Sequence, residues 1–191
     1  MVNKKREESR LYFPLCQKLK EIFDVYYVAD SYTIDRKTGY MKAPTNSITN
    51  PLLEITANGE VSDKLQSKFT YGLFQNLQSE KLHPDLMGYV RKKPSSKPEF
   101  ITVEIKKGAL RIRDILQAKL YGDIFNSTFS FAISPKGIST QKLKTILEYD
   151  KALRGQVIIA QCSEDGRSIW INPLLKNHIT KEFRGLCRFN K

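Results

Sequence analysis

From residue 100 to residue 106 the chain alternates with a period of two. Ile101, Val103 and Ile105 form one row, and Phe100, Thr102, Glu104 and Lys106 form the other. Side chains on a strand alternate between faces, so this pattern reads as a strand with its Ile/Val row in a core. Glu104 and Lys106 then point the same way, about 7 Å apart along the backbone. An acid and a base are aimed together from one rigid element. Residues 86–90 read as an antiparallel partner, joined through a Lys/Pro/Ser cluster at 92–98 that suits a hairpin loop. Asp85 falls at the start of that partner, and the pairing brings it close to Glu104.

Two carboxylates and an ammonium converging on a strand pair suit a hard metal ion. Mg²⁺ prefers oxygen ligands, keeps several waters, and often takes only one or two protein carboxylates plus a substrate phosphate. Such an ion lowers the pKa of a bound water and neutralises charge on the phosphate. Lys106 is placed to orient that water or to stabilise the oxyanions that form. Gln117 and Tyr121 are four residues apart, so on a helix they share a face.

Pro84-Asp85 followed by Glu104-Ile105-Lys106 resembles the signature of the PD-(D/E)xK nuclease superfamily, with its restriction-endonuclease-like fold. Gln117-Ala118-Lys119-Leu120-Tyr121 resembles the QxxxY element of its RecB-like and CRISPR-associated exonuclease branch. The resemblance covers about residues 52–134 and is strongest from 84 to 121. It implies that Asp85 and Glu104 ligate Mg²⁺ or Mn²⁺, with the Ile105 carbonyl as a third protein ligand. It implies that Lys106 assists catalysis and that Gln117 and Tyr121 line the site. Members often carry a further acid upstream. Glu54, on an apolar strand, is the preferred candidate, ahead of Glu21, Glu60 and Glu80. Duplex cutters of this fold are often dimers, which makes a homodimer an expectation by analogy.

Composition agrees with a polyanionic partner. Lys and Arg total 32 against 20 Asp and Glu, a net charge of +12, and phosphate contacts favour such a balance. A positive surface around an acidic metal pocket is what a deoxyribonuclease needs, so the expected partner is DNA. The alternative is a binding module that holds nucleic acid on the same fold without chemistry. No glycine-rich phosphate loop is present, which argues against an NTPase. His83, His178, Cys16, Cys162 and Cys187 are too scattered for a zinc site. The cysteines read as reduced thiols, short of the four that hold an iron–sulfur cluster. No run of eighteen apolar residues predicts a membrane span, and the N-terminus lacks an apolar signal region. The expectation is a cytoplasmic protein.

The 191 residues suit a single domain. Residues 4–24 read as an amphipathic helix, begun or kinked at Pro14. Residues 24–34 read as a strand, 35–50 as a loop or hairpin, and 52–57 as a strand. A helix capped by Ser62 follows, running to about residue 78. The helix at 111–125 is expected to place Ile112, Ile115, Leu116, Leu120 and Ile124 on its core side, with Lys107, Arg111 and Arg113 near the site mouth. A strand at 129–134, a helix at about 140–153, and a hairpin of 157–162 with 168–172 complete the pattern. Trp170 is expected in the core, and the basic tail from residue 181 is expected to be loosely ordered. The order predicts an α/β fold: a restriction-endonuclease-like mixed sheet flanked by helices.

Overall fold

The alternation centred on Val103 produces a strand in the middle of a six-stranded sheet. The computed structural model describes residues 2–29, 33–34, 41–42, 51–69, 80, 82–91, 96–149 and 157–171. In chain order its elements are α1 (Val2–Ala29), β1 (Thr33–Ile34), β2 (Met41–Lys42), β3 (Leu52–Ile55) and α2 (Asp63–Gln66). They continue with β4 (Leu86–Val90), β5 (Glu99–Ile105), α3 (Ile112–Ile124), β6 (Phe129–Ser134), α4 (Thr140–Tyr149), β7 (Ile158–Cys162) and β8 (Ile169–Ile171). β1 and β2 pair separately as a short antiparallel hairpin. The large sheet runs β3-β4-β5-β6-β7-β8. β4 pairs antiparallel with both β3 and β5, β5, β6 and β7 are parallel, and β8 returns antiparallel to β7. The chain is therefore a mixed α/β fold, and β5 is the strand where antiparallel pairing gives way to parallel.

That position buries β5 on both faces. Ile101, Val103 and Ile105 are fully buried, and so are Thr102 and Glu104 on the opposite row. α1 covers the first face. Leu11, Leu15, Leu19 and Phe23 form its buried stripe, and the Phe23 ring meets Phe129 and Phe131 of β6. α3 covers the second face. A Cβ at Gly122 would stand 2.2 Å from Ser130 Oγ, so the missing side chain is what lets α3 lie close to β6. Ser130 Oγ also accepts from Thr102 Oγ1, which places β5's polar row under α3.

Several expectations change. α1 runs unbroken through Pro14. A mid-helix proline costs about 3 kcal/mol, but burial of Leu11, Leu15, Leu19 and Phe23, at about 1.5–3 kcal/mol each, holds the helix on both sides of it. α1 also takes residues 24–29 that read as strand, since extending a nucleated helix is easier than starting a new element. Ser62 does cap α2, accepting from the Leu65 N–H, but the helix ends at Gln66 rather than near residue 78. Trp170 is half-buried at the sheet edge rather than in the core. On α3 the buried residues are Asp114, Ile115, Ala118 and Tyr121. Ile112, Leu116 and Leu120 are 42–47% exposed, the reverse of their expected side. Of the expected loop or hairpin at 35–50, residues 35–40 and 43–50 lie outside the described residues, as do residues 70–79 and the tail from 172, with His178 and Cys187. Cys16 and Cys162 are buried free thiols.

Candidate active site

The antiparallel register Leu86↔Val103 carries the chain one step further, so that Asp85 lies opposite Glu104 at the end of the β4–β5 pair. Asp85 is fixed at both oxygens. Its Oδ2 accepts from the Ile105 N–H at 2.7 Å, and its Oδ1 accepts from the Tyr12 hydroxyl of α1 at 2.9 Å. The approach to β4 is held as well: Thr56 Oγ1 donates to the Pro84 carbonyl, and the Thr56 N–H donates to the Asp85 carbonyl. The Pro84-Asp85 dipeptide is thus clamped to β3, β5 and α1 together.

Glu104 points from β5 toward the α3 side with its side chain only 3% exposed, and Lys106 forms an ion pair with its Oε1. Both residues leave the same face of β5, as the alternation requires. On α3, the Gln117 side-chain amide donates to the Tyr121 hydroxyl at 3.1 Å, leaving that hydroxyl's own proton able to donate elsewhere. Tyr121 lies within electrostatic range of Glu104, Asp85 and Lys106. Four elements, α1, β4, β5 and α3, therefore converge on one corner of the sheet.

The electrostatics follow from burial. Removal from water pushes Glu104 up to about 8, Asp85's charge adds to this, and Lys106 opposes it. Asp85 is also raised, mainly by burial, while the Ile105 N–H, Lys106 and the Tyr12 hydroxyl pull it back. Burial would depress the Lys106 ammonium, but Glu104 and Asp85 outweigh that and hold its pKa above the ordinary value. Tyr121 is raised by burial, with the Gln117 hydrogen bond opposing. This is a crowded acidic pocket with Lys106 inside it, and a further positive charge would relieve it.

A pH dependence results. Glu104 binds its proton more tightly in the native chain than in the unfolded one. Its contribution to stability is complete below about pH 4.5 and lost as pH rises through about 8. The metal-free protein is expected to melt at a lower temperature near about pH 9 than near about pH 6. A Glu104→Gln variant should lose most of that difference. Melting curves in chelator at both pH values are the check, and an undiminished difference in the variant would assign the effect elsewhere.

Among the described residues, no group of three or more His, Cys, Asp or Glu side chains is arranged to hold a metal ion. Mg²⁺ needs fewer, because waters and substrate phosphate complete its shell. Asp85 and Glu104 supply two carboxylates. The N–H and C=O of one strand residue leave on the same side of the strand. The Ile105 N–H points at Asp85, so the Ile105 carbonyl is turned to that side too. The donors are hard oxygens and fit a hard cation.

The other candidates are placed as follows. Glu54 uses its carboxylate on Ser62, accepting from its N–H at 2.9 Å and from its hydroxyl, and so holds the start of α2. Arg111 and Arg113 both pair with the buried Asp114 at the start of α3. His83 packs against Gly59, and its Nδ1 is buried without a hydrogen-bond partner. Two site residues were not anticipated: Tyr12, and Glu8 one turn before it on α1. Glu8's charge acts on Asp85, Glu104, Lys106 and Tyr12. The available signal was their spacing of four, which puts both on one helix face.

No protein-family model, no curated protein and no solved structure matches this chain. No described helix is long and apolar enough to cross a membrane.

Proposed function

We propose that this chain is a metal-dependent nuclease that hydrolyses phosphodiester bonds in DNA, on a restriction-endonuclease-like fold. One observation carries the reading. Asp85, Glu104 and Lys106, remote in sequence or aimed from a rigid strand, meet at one corner of the sheet, with Gln117 and Tyr121 beside them. Mg²⁺ or Mn²⁺ would be held by Asp85, Glu104 and the Ile105 carbonyl, and would supply an activated water and charge neutralisation at the phosphate.

The chain's own residues do the rest. Tyr12 and the Ile105 N–H hold Asp85 in one orientation. Glu104, buried beside Asp85, is held above the usual carboxylate range even with Lys106 against it, so a divalent cation there would offset charge that Lys106 alone does not. Lys106 pairs with Glu104, and with that carboxylate engaged by a cation the pairing would be weaker. Its ammonium can then orient the attacking water or meet developing oxyanion charge. Gln117 fixes Tyr121, whose O–H can donate to a phosphate oxygen or to the site carboxylates. The net charge of +12 supports a nucleic-acid substrate through phosphate contacts.

The test is cleavage of single-stranded, duplex and branched DNA by the full chain with Mg²⁺ or Mn²⁺, each against a chelator control. Metal-dependent cleavage of at least one form is expected. Salt-sensitive DNA binding with no turnover under either metal would replace the nuclease by a binding module.

A further inference from the structure

Tyr12 lies 73 positions before Asp85 and reaches it from the opposite face of the sheet to α3. Its hydroxyl donates to Asp85 Oδ1 at 2.9 Å, and its ring is buried in the core beside Leu11 and Leu15. The other oxygen of Asp85 is held by the Ile105 N–H at 2.7 Å. The carboxylate is thus pinned by two donors on two different elements, one backbone and one side chain. The backbone donor is fixed by the β5 ladder. The side-chain donor is fixed by the packing of α1, because a buried ring with two χ angles has little freedom. Burial and the neighbouring carboxylates raise the Tyr12 phenol above its usual range.

We propose that Tyr12 is a positioning residue for the metal-binding carboxylate: its hydroxyl fixes Asp85 so that the lone pairs left over face Glu104 and the Ile105 carbonyl. This rests on the reading of Asp85 as a metal ligand. It makes α1 part of the functional site, with Glu8 one turn away on the same face. A carboxylate in a metal site works best when its own orientation is locked by outer partners, and loss of such a partner weakens metal binding by about ten- to a hundredfold. Without the hydroxyl, Asp85 keeps its ring neighbour and the Ile105 N–H but gains a rotational freedom that metal binding must remove.

The experiment is a Mn²⁺ titration of the full chain, followed by electron paramagnetic resonance of free Mn²⁺. Wild type, Tyr12→Phe, Asp85→Asn and the double variant are compared, with melting temperatures measured alongside. The Phe variant keeps the ring and its packing. Tyr12→Phe is expected to raise the Mn²⁺ Kd by about tenfold while remaining folded. In the Asp85→Asn background the same change should add nothing further, because the carboxylate it positions is gone. A Tyr12→Phe Kd equal to wild type, with or without a lower melting temperature, would make Tyr12 a packing residue and overturn the inference. So would a wild type that binds no Mn²⁺, or an undiminished Tyr12→Phe effect in the Asp85→Asn background. Mn²⁺ bound with the expected Tyr12 dependence, but no DNA cleaved, would keep this inference and remove only the nuclease.

Discussion

Replacing Asp85 by alanine is expected to lower Mg²⁺-dependent DNA cleavage by about a thousandfold and to leave the chain folded. The size follows from what a metal ion contributes at a phosphoryl centre. Lewis-acid stabilisation is worth several kcal/mol, and every ~1.4 kcal/mol is a factor of ten in rate. Asp85 is one of the two carboxylates proposed to hold the cation, so its loss would leave Glu104 and the Ile105 carbonyl to do so. The fold survives because two effects oppose. The Ile105 N–H and the Tyr12 hydroxyl lose their acceptor, at about 1–3 kcal/mol each if water does not replace it. Against this, a buried negative charge disappears from beside Glu104, whose protonation it had favoured. Initial rates on all three DNA forms, with circular dichroism as the folding control, decide the matter. Equal rates for variant and wild type would remove Asp85 from the chemistry.

The second large effect is on stability. Gly88 lies in β4 between Leu53 of β3 and Ile101 of β5. A Cβ at this position would stand 1.9 Å from the Leu52 carbonyl oxygen and 2.7 Å from the Leu53 Cα. Both are backbone atoms, so no side chain can rotate away. Gly88→Ala must move β3 off β4. That move also pulls Leu53 from the core and strains the Cys16 contact to the Leu53 carbonyl. Overpacking of this kind costs about 3 kcal/mol or more, so the melting temperature should fall by about 6–12 °C. Asp85 is three residues away, and β3 also clamps Pro84 and Asp85 through Thr56. Mn²⁺ affinity should therefore fall together with stability. A thermal melt within a degree or two of wild type would mean that β3 and β4 do not approach as described.

Gly88 also shows how a sequence can hide a decisive position. In a strand of Leu, Met, Tyr and Val a single glycine looks like a tolerated irregularity, and only the neighbouring backbone reveals that nothing larger fits. α3 shows a different ambiguity. Its sequence carries two stripes at helical spacing, Ile112/Leu116/Leu120 and Ile115/Ala118/Tyr121, and hydrophobicity favours the first. The sheet takes the second, because Ala118 and Gly122 are small enough for close approach and Tyr121 brings its hydroxyl to the corner. Residues 24–29 read as strand by composition and are helix, since local β preference yields to the continuation of a packed helix.

The pieces legible along the chain are those whose information is local. The alternation from 100 to 106 fixed β5, its buried row and the shared direction of Glu104 and Lys106. The Leu86–Val90 run fixed the partner strand, and so the meeting of Asp85 with Glu104. Packing between distant elements settles the rest: that α1 reaches across the sheet to place Tyr12 on Asp85 and Glu8 nearby, that Glu54 turns to Ser62, and that α3 shows its Ile112/Leu116/Leu120 stripe outward. Period-two patterning is written into neighbouring residues, because a pleated strand leaves no other choice of face. Which helix meets which carboxylate depends on packing between elements many residues apart, and no spacing along the chain encodes it.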